Sequence, residues 1–324
     1  EVRWCPGCGD YAILKGVQKS LADMQADPAK TVFVSGIGCA ARFPYYMETY
    51  GFHTIHGRAP SVATGVKLAN PDLTVWVVGG DGDGLSIGGN HTMHALRRNI
   101  DINYLLFNNE IYGLTKGQYS PTSRLGTRSP STPMGSIDAP LSALSFAMGV
   151  NARFVARTID RRLDHMPKVL QRTAEHKGAS FVEILQNCIV YNDGAFEHIT
   201  EKDVKKHMQL EVEHGQPLRF GEENEKGLIF DPKEMRLDVV TIGEGGVTED
   251  DILVHDETNK MLAMMLCAME PPVYPVAIGV IYCNPGESYD AAVWRQNEEI
   301  KSKAKNPGDM NALLRAGATW TVNE

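Results

Sequence analysis

A chain of 324 residues, 43 % of them apolar, is long enough to bury one large α/β core plus a smaller appendage. Its formal charge of −8 argues against a nucleic-acid partner, which asks for a basic surface, and no run of 18 apolar residues is present to span a membrane. Six cysteines are too sparse for a disulfide scaffold, so their placement matters more than their number. No signal peptide is legible, and a cytoplasmic protein is expected. Glu1 is not a methionine and the chain opens directly on a motif, so further residues are expected to precede it.

Trp4-Cys5-Pro6-Gly7-Cys8-Gly9 comes first, followed by a helix from Asp10 or Tyr11 to about Met24, with Ile13, Leu14, Val17 and Leu21 on one stripe. Thr31 to Val34 reads as a strand that ends in Ser35-Gly36-Ile37-Gly38-Cys39. A Cys-x-x-Cys suits a redox dithiol, a zinc ribbon or an iron–sulfur cluster, and the second Cys-x-x-Cys of a ribbon is missing. His53 to Pro60 leads into a small-residue helix, Ser61 to Leu68.

Thr74 to Val78 is apolar or β-branched throughout, as in a strand buried in a parallel sheet. Gly79-Gly80-Asp81-Gly82-Asp83-Gly84 breaks it, Leu85 to Arg98 continues at helical period, and Ile102 to Phe107 is a second buried strand ending in Asn108-Asn109-Glu110. Strand, glycine loop, helix and strand in this order place ligands at the carboxyl ends of the strands. Glycines and a helix N-terminus suit a phosphate, yet two aspartates repel one. A divalent metal removes the conflict, because Mg²⁺ takes hard oxygen ligands and bridges carboxylate to phosphate. The amide oxygen of Asn109 is a second hard donor.

Ser120 to Asp138 is rich in Ser, Thr, Pro and Gly without periodicity, and is expected to line a site or a subunit contact. Arg153, Arg157, Arg161 and Arg162 surround a strand and helix within 151–165 and read as a solvated face. Cys188 follows the strand Ser180 to Leu185. With Cys5, Cys8 and Cys39 it makes a four-thiolate set fit for an iron–sulfur cluster, zinc being the alternative on spacing alone. Cys267 and Cys283 read as small apolar residues. Beyond Asp193 the pattern loosens into a charged helix at Ile199 to His214, turns over Gly215 to Asp256, and a late strand within Pro271 to Tyr282.

The Gly-Asp-Gly turn at 80–82, followed 28 residues after Asp81 by Asn109, resembles the thiamine-diphosphate fingerprint. That resemblance implies Asp81, Asn109 and the carbonyl of Ile111 as Mg²⁺ ligands, with Asp83 the less well spaced alternative. Trp4 to Asp10, Gly36 to Cys39, Ile55 to Ala59, Gly80 to Gly84, Tyr112 to Gln118 and Gln186-Asn187-Cys188 together resemble the β subunit of 2-oxoacid:ferredoxin oxidoreductases, most closely the 2-oxoglutarate (KorB-type) branch. The likeness spans residue 4 to about 200.

It implies an α/β thiamine-diphosphate-binding fold: a mostly parallel sheet with helices on both faces in residues 1–190, and an extension, 191–324, wrapping the core or a partner. It also implies a cofactor pocket built from Gly80, Asp81, Gly82, Asp83, Asn109, Ile111, Gly113 and Leu114, and a 4Fe–4S cluster on Cys5, Cys8, Cys39 and Cys188. Arg42 and Lys116 are the cations expected near 2-oxoacid and coenzyme A, and His56 a site residue. The implied reaction is oxidative decarboxylation of 2-oxoglutarate with coenzyme A to succinyl-CoA and CO₂, electrons leaving to ferredoxin, or the reverse carboxylation. Pyruvate or another 2-oxoacid is the alternative substrate. A metal-stapled scaffold without catalysis is the alternative of another class, and a non-oxidative thiamine lyase would leave the cysteines without a use. The carboxylate that activates the aminopyrimidine has no domain to sit on here, so an α subunit supplying that Glu is expected, in an (αβ)₂ assembly.

Overall fold

Five mostly apolar strands, covered on both faces, carry the centre of the chain: β1 (Thr31–Ser35), β3 (Thr74–Gly80), β4 (Asn103–Asn108), β5 (Phe154–Ile159) and β6 (Ser180–Leu185). In the computed structural model, residues 1–304 and 308–322 are described, and the few remaining positions of the expected 191–324 extension lie outside the described residues. With β2 (Tyr50–His53), β7 (Gln209–Val212) and β11 (Val276–Cys283) they form an eight-stranded sheet in the order β2-β1-β3-β4-β6-β5-β11-β7. Every pairing is parallel except that of β11 with β5.

Period-two alternation splits the sheet's side chains into two cores. Val32, Val34, Val75, Val77, Tyr104 and Leu106 face one side, where helices Ala59–Ala69, Gly89–Arg97, Ala143–Gly149 and Lys260–Cys267 cover them. Phe33, Trp76, Val78, Leu105 and Phe107 face the other, under helices Asp10–Asp23 and Met166–Glu175. This is the helix–sheet–helix layering expected of a mostly parallel sheet.

Several expectations are corrected. The helix at Ile199 to His214 is instead two single turns, Glu197–Thr200 and Lys205–Met208, followed by β7. Leu210 and Val212 are buried beside β11, and sheet pairing there outweighs the helical charge pattern. The stretch 215–256 is more than turns: β8 (Arg219–Phe220), β9 (Lys226–Asp231) and β10 (Arg236–Thr241) make a small antiparallel sheet. Because β7 and β11 belong to the main sheet, that sheet does not stop at residue 190. The helix expected from Leu85 is interrupted: a wide π-type turn, Gly82–Ile87, precedes the α-helix Gly89–Arg97. β3 itself runs on through Gly79 and Gly80, and Cys39 lies four residues past β1, capping the 3₁₀ turn Ala40–Tyr46. Among the described residues no helix is long and apolar enough to cross a membrane.

Candidate functional site

The spatial order β1-β3-β4-β6 aligns four carboxyl ends, and the loops leaving them bring together residues far apart in sequence. Asp81 leaves β3 fully buried. Its Oδ2 accepts hydrogen bonds from the hydroxyls of Ser120 and Thr122, the latter at 2.6 Å, while no side-chain hydrogen bond among the described residues reaches Oδ1. Burial pushes its pKa up, against the two hydroxyls that favour the charged form. Asp83 does a different job: its Oδ1 accepts the backbone N–H groups of Ile37 (3.0 Å) and Gly57 (2.8 Å), tying two other loops to the glycine turn. Each aspartate thus keeps one oxygen without a hydrogen-bond partner among the described side chains, but Asp83 is tied to two neighbouring loops and Asp81 only to two hydroxyls.

Gly82 has to be glycine, because a Cβ there would stand 2.1 Å from the Tyr112 ring. Tyr112 donates its hydroxyl hydrogen bond to the Gly82 carbonyl at 3.2 Å. Asn109 is held from both ends: its Nδ2 donates to Gln186 Oε1 (2.8 Å) and its Oδ1 accepts from Ile111 N (3.2 Å). Glu110 takes φ 56°, turning the chain so that Ile111 to Leu114 double back over the site.

The result is a cavity of about 330 Å³ bordered by Gly80, Asp81, Gly82, Asp83 and Asn109, and closed by Ile111, Gly113, Leu114 and His56. A second cavity, about 230 Å³, is bordered by Cys5, Cys8, Cys39 and Cys188, with Arg42 at its side. Cys39, Asn109, Gly113 and Leu114 belong to the walls of both. A Cβ at Gly113 would stand 3.5 Å from the Sγ atoms of both Cys39 and Cys188. The amino-terminal pair reaches this place because Gly9 N donates to the Asn187 carbonyl (3.2 Å) and Trp4 Nε1 to the Cys39 carbonyl (2.8 Å).

Burial, reinforced by Asp10, pushes the Cys39 thiol up to about 12, and Cys8 is pushed up by the same two causes. Without a compensating cation these groups are neutral thiols. Four sulfur donors around one cavity suit a soft metal centre, and the hard oxygens of Asp81 and Asn109 suit Mg²⁺. Among the described residues, no three His, Cys, Asp or Glu side chains stand close enough to hold a single metal ion.

The remaining predicted residues fall less centrally. Arg42 donates from Nε to the Tyr46 hydroxyl (2.9 Å) and borders the cysteine cavity, not the Asp81 cavity. Lys116 is exposed on the turn after Leu114 and borders neither. His53 Nδ1 is 3.0 Å from Ser35 Oγ, and the residue borders neither cavity. Cys267 and Cys283 are buried in the sheet's cores. Arg157 is not on a solvated face: it pairs with Glu183 at 2.6 Å, their side chains 11 % and 3 % exposed. Ser120 and Thr122 carry no signal of their own in the sequence beyond the aperiodic Ser/Thr-rich composition of 120–138, which marks a region and not the hydroxyls, and Tyr112 belongs to the Tyr112 to Gln118 motif without a role that the motif assigns to its hydroxyl.

Comparison with known proteins matches residues 36–184 to the family described as thiamine pyrophosphate enzyme, C-terminal TPP binding domain. The chain is 45 % identical over 327 aligned residues to 2-oxoglutarate oxidoreductase subunit KorB of Mycobacterium tuberculosis, covering 100 % of this chain and 86 % of that one. It is 47 % identical over 190 residues to the β subunit of 2-oxoacid:ferredoxin oxidoreductase 1 of Aeropyrum pernix, covering 59 % and 60 %. Among solved structures, 2-oxoglutarate:ferredoxin oxidoreductase from Magnetococcus marinus, with 2-oxoglutarate, coenzyme A and succinyl-CoA bound, superposes with a TM-score of 0.77 at 31 % identity, covering 98 % of this chain and 93 % of that one.

Proposed function

The chain belongs to the β-subunit family of 2-oxoacid:ferredoxin oxidoreductases, on its 2-oxoglutarate (KorB) branch, and from that premise we propose that it is the thiamine-binding half of an enzyme converting 2-oxoglutarate and coenzyme A to succinyl-CoA and CO₂, reversibly, with ferredoxin as electron partner. The observation that carries this reading is the common wall of Cys39, Asn109, Gly113 and Leu114 between the two cavities. A thiamine lyase has no use for thiols there, and a metal staple has no use for a buried Asp81.

When bound, thiamine diphosphate supplies a C2 carbanion for the 2-oxoacid carbonyl, and a 4Fe–4S cluster supplies a one-electron exit. In this reading Asp81, Asn109 and the Ile111 carbonyl hold Mg²⁺, through which the diphosphate is anchored. Asp83 keeps the Ile37 and Gly57 loops against that anchor. Cys5, Cys8, Cys39 and Cys188 hold the cluster. Leu114, half exposed on the wall of both cavities, faces the oxoacid. Arg42 and Lys116 are the cations for the carboxylates of the oxoacid and the phosphates of coenzyme A, and His56, on the wall of the cofactor cavity, serves proton transfer.

An α subunit completes the site with the activating Glu, in an (αβ)₂ assembly: the main sheet draws strands from 31 to 283, which leaves no second sheet of that size among the described residues to act as a pyrimidine domain. The test is reduction of ferredoxin or a viologen by the purified α/β complex across a panel of 2-oxoacids. Turnover dependent on coenzyme A and fastest with 2-oxoglutarate is expected, and a preference for pyruvate would replace the substrate.

A further inference from the structure

Behind Asp81 a run of buried polar contacts crosses four neighbouring strands. Thr122 Oγ1 lies 2.6 Å from Asp81 Oδ2 and 2.9 Å from Asn108 Oδ1. Asn108 Nδ2 donates to Glu183 Oε1 (2.7 Å), and Arg157 Nε donates to Glu183 Oε2 (2.6 Å). The register explains the line. Arg157 sits directly opposite Glu183, and Asn108 opposite Leu185, two residues further along β6. Asn108 and Glu183 therefore share one face as a diagonal pair.

Stability does not account for a charged pair in the middle of a sheet. Replacing a buried ion pair by apolar groups of similar size is often neutral or stabilising. What this pair does is local and geometric. Glu183, held by Arg157, takes the amide nitrogen of Asn108 and so turns the amide oxygen toward Glu110 N and toward Thr122, whose single hydroxyl proton that oxygen and Asp81 Oδ2 share between them. Thr122 and Ser120 both fall on the same oxygen of Asp81, leaving the other without a side-chain partner.

We propose that Glu183, held by Arg157, is a positioning residue that acts through Asn108 and Thr122 to present the Asp81 carboxylate to Mg²⁺. The inference rests on Asp81 being a metal ligand. Outer partners of this kind set metal affinity by about 10- to 100-fold.

The experiment is calorimetric titration of Mg²⁺–thiamine diphosphate into the purified α/β complex, with thermal unfolding recorded alongside. The double variant Arg157→Met/Glu183→Leu removes the pair. Asn108, Arg157 and Glu183 border a cavity of about 670 Å³, which has room for a water to satisfy the freed amide. Affinity is expected to fall about tenfold or more while the melting temperature holds; wild-type affinity would overturn the proposal, as would a loss that merely follows a lowered melting temperature. Should the double variant not fold, Glu183→Gln carries the test, because a neutral amide is a weaker acceptor than a carboxylate. A loss of about threefold is expected there, and wild-type affinity overturns the proposal. Asp81→Ala run in parallel separates the premise from the inference. If that variant binds normally, Asp81 is not a ligand and both fall; if it fails to bind while the Glu183 variants bind normally, only the positioning role falls.

Discussion

Asp81 and Asp83 show how two identical side chains two positions apart take unlike work from their neighbours. Asp83 is spent on the N–H groups of Ile37 and Gly57, so Asp83→Ala is expected to lower the melting temperature and loosen the 36–57 loops. Asp81→Ala deletes the carboxylate proposed for Mg²⁺ and is expected to abolish thiamine diphosphate binding with the fold intact; calorimetry and melting curves on both variants check the division. A full reversal, with Asp83→Ala losing the cofactor and Asp81→Ala binding it, would exchange their roles. Gly82 is tested by Gly82→Ala, whose methyl meets the Tyr112 ring at 2.1 Å. Overpacking of this kind costs about 1–3 kcal/mol, and weaker cofactor binding is expected because the turn carrying Asp81 must shift.

Helix Met166–Glu175 enters through His165, whose Nδ1 lies 2.9 Å from the Thr158 hydroxyl at the end of β5. Burial lowers the His165 pKa from 6.5 to about 4. A histidine whose folded pKa lies below its unfolded value stabilises the fold above the unfolded pKa, and that stability is lost as pH falls toward the folded one. Unfolding free energy should therefore decline between about pH 6.5 and pH 4, by up to about 3 kcal/mol from this residue. Denaturant titrations of wild type and His165→Gln across that window check it, the variant being expected to show the shallower slope. A neutral amide has no proton to gain.

The proposed use of the two cavities with a common wall, by thiamine diphosphate in one and an iron–sulfur cluster in the other, is tested only in the assembled molecule. Complex prepared without air is expected to contain four irons per β chain, and to give a low-temperature paramagnetic signal after dithionite. Cys188→Ser should lose both. Finding about one zinc and no iron would favour a structural staple. The isolated chain is expected to show no 2-oxoacid oxidation, with turnover restored on adding the α subunit. Robust turnover by the chain alone would show that the activating carboxylate lies within it.

How far the sequence reaches differs from residue to residue. The glycine turn, the Cys-x-x-Cys and the strand before Cys188 were legible as patterns in neighbouring residues, and the spacing of Asp81 to Asn109 through its resemblance to the thiamine-diphosphate fingerprint. Helix Asp10–Asp23 was legible because burial of one face imposes a period on its residues, and strands β1, β3, β4 and β6 because burial of both faces makes them continuous, mostly apolar runs. Strand adjacency has no such local signature. That β6 lies between β4 and β5 is what sets Glu183 against Arg157 and turns an apparent surface arginine into a half-buried one. The same folding brings Ser120 and Thr122, about 40 positions downstream, onto Asp81. β7 and β11 join the main sheet because their apolar residues are buried against β5 and against each other, although the sequence around them looks charged or irregular. Residue identity, with the resemblance that the motifs carry, therefore nominated the groups proposed for a metal or a phosphate. Which of them are clamped, paired or shared between cavities was decided by the order of strands in space, because those contacts join segments that the chain itself keeps far apart.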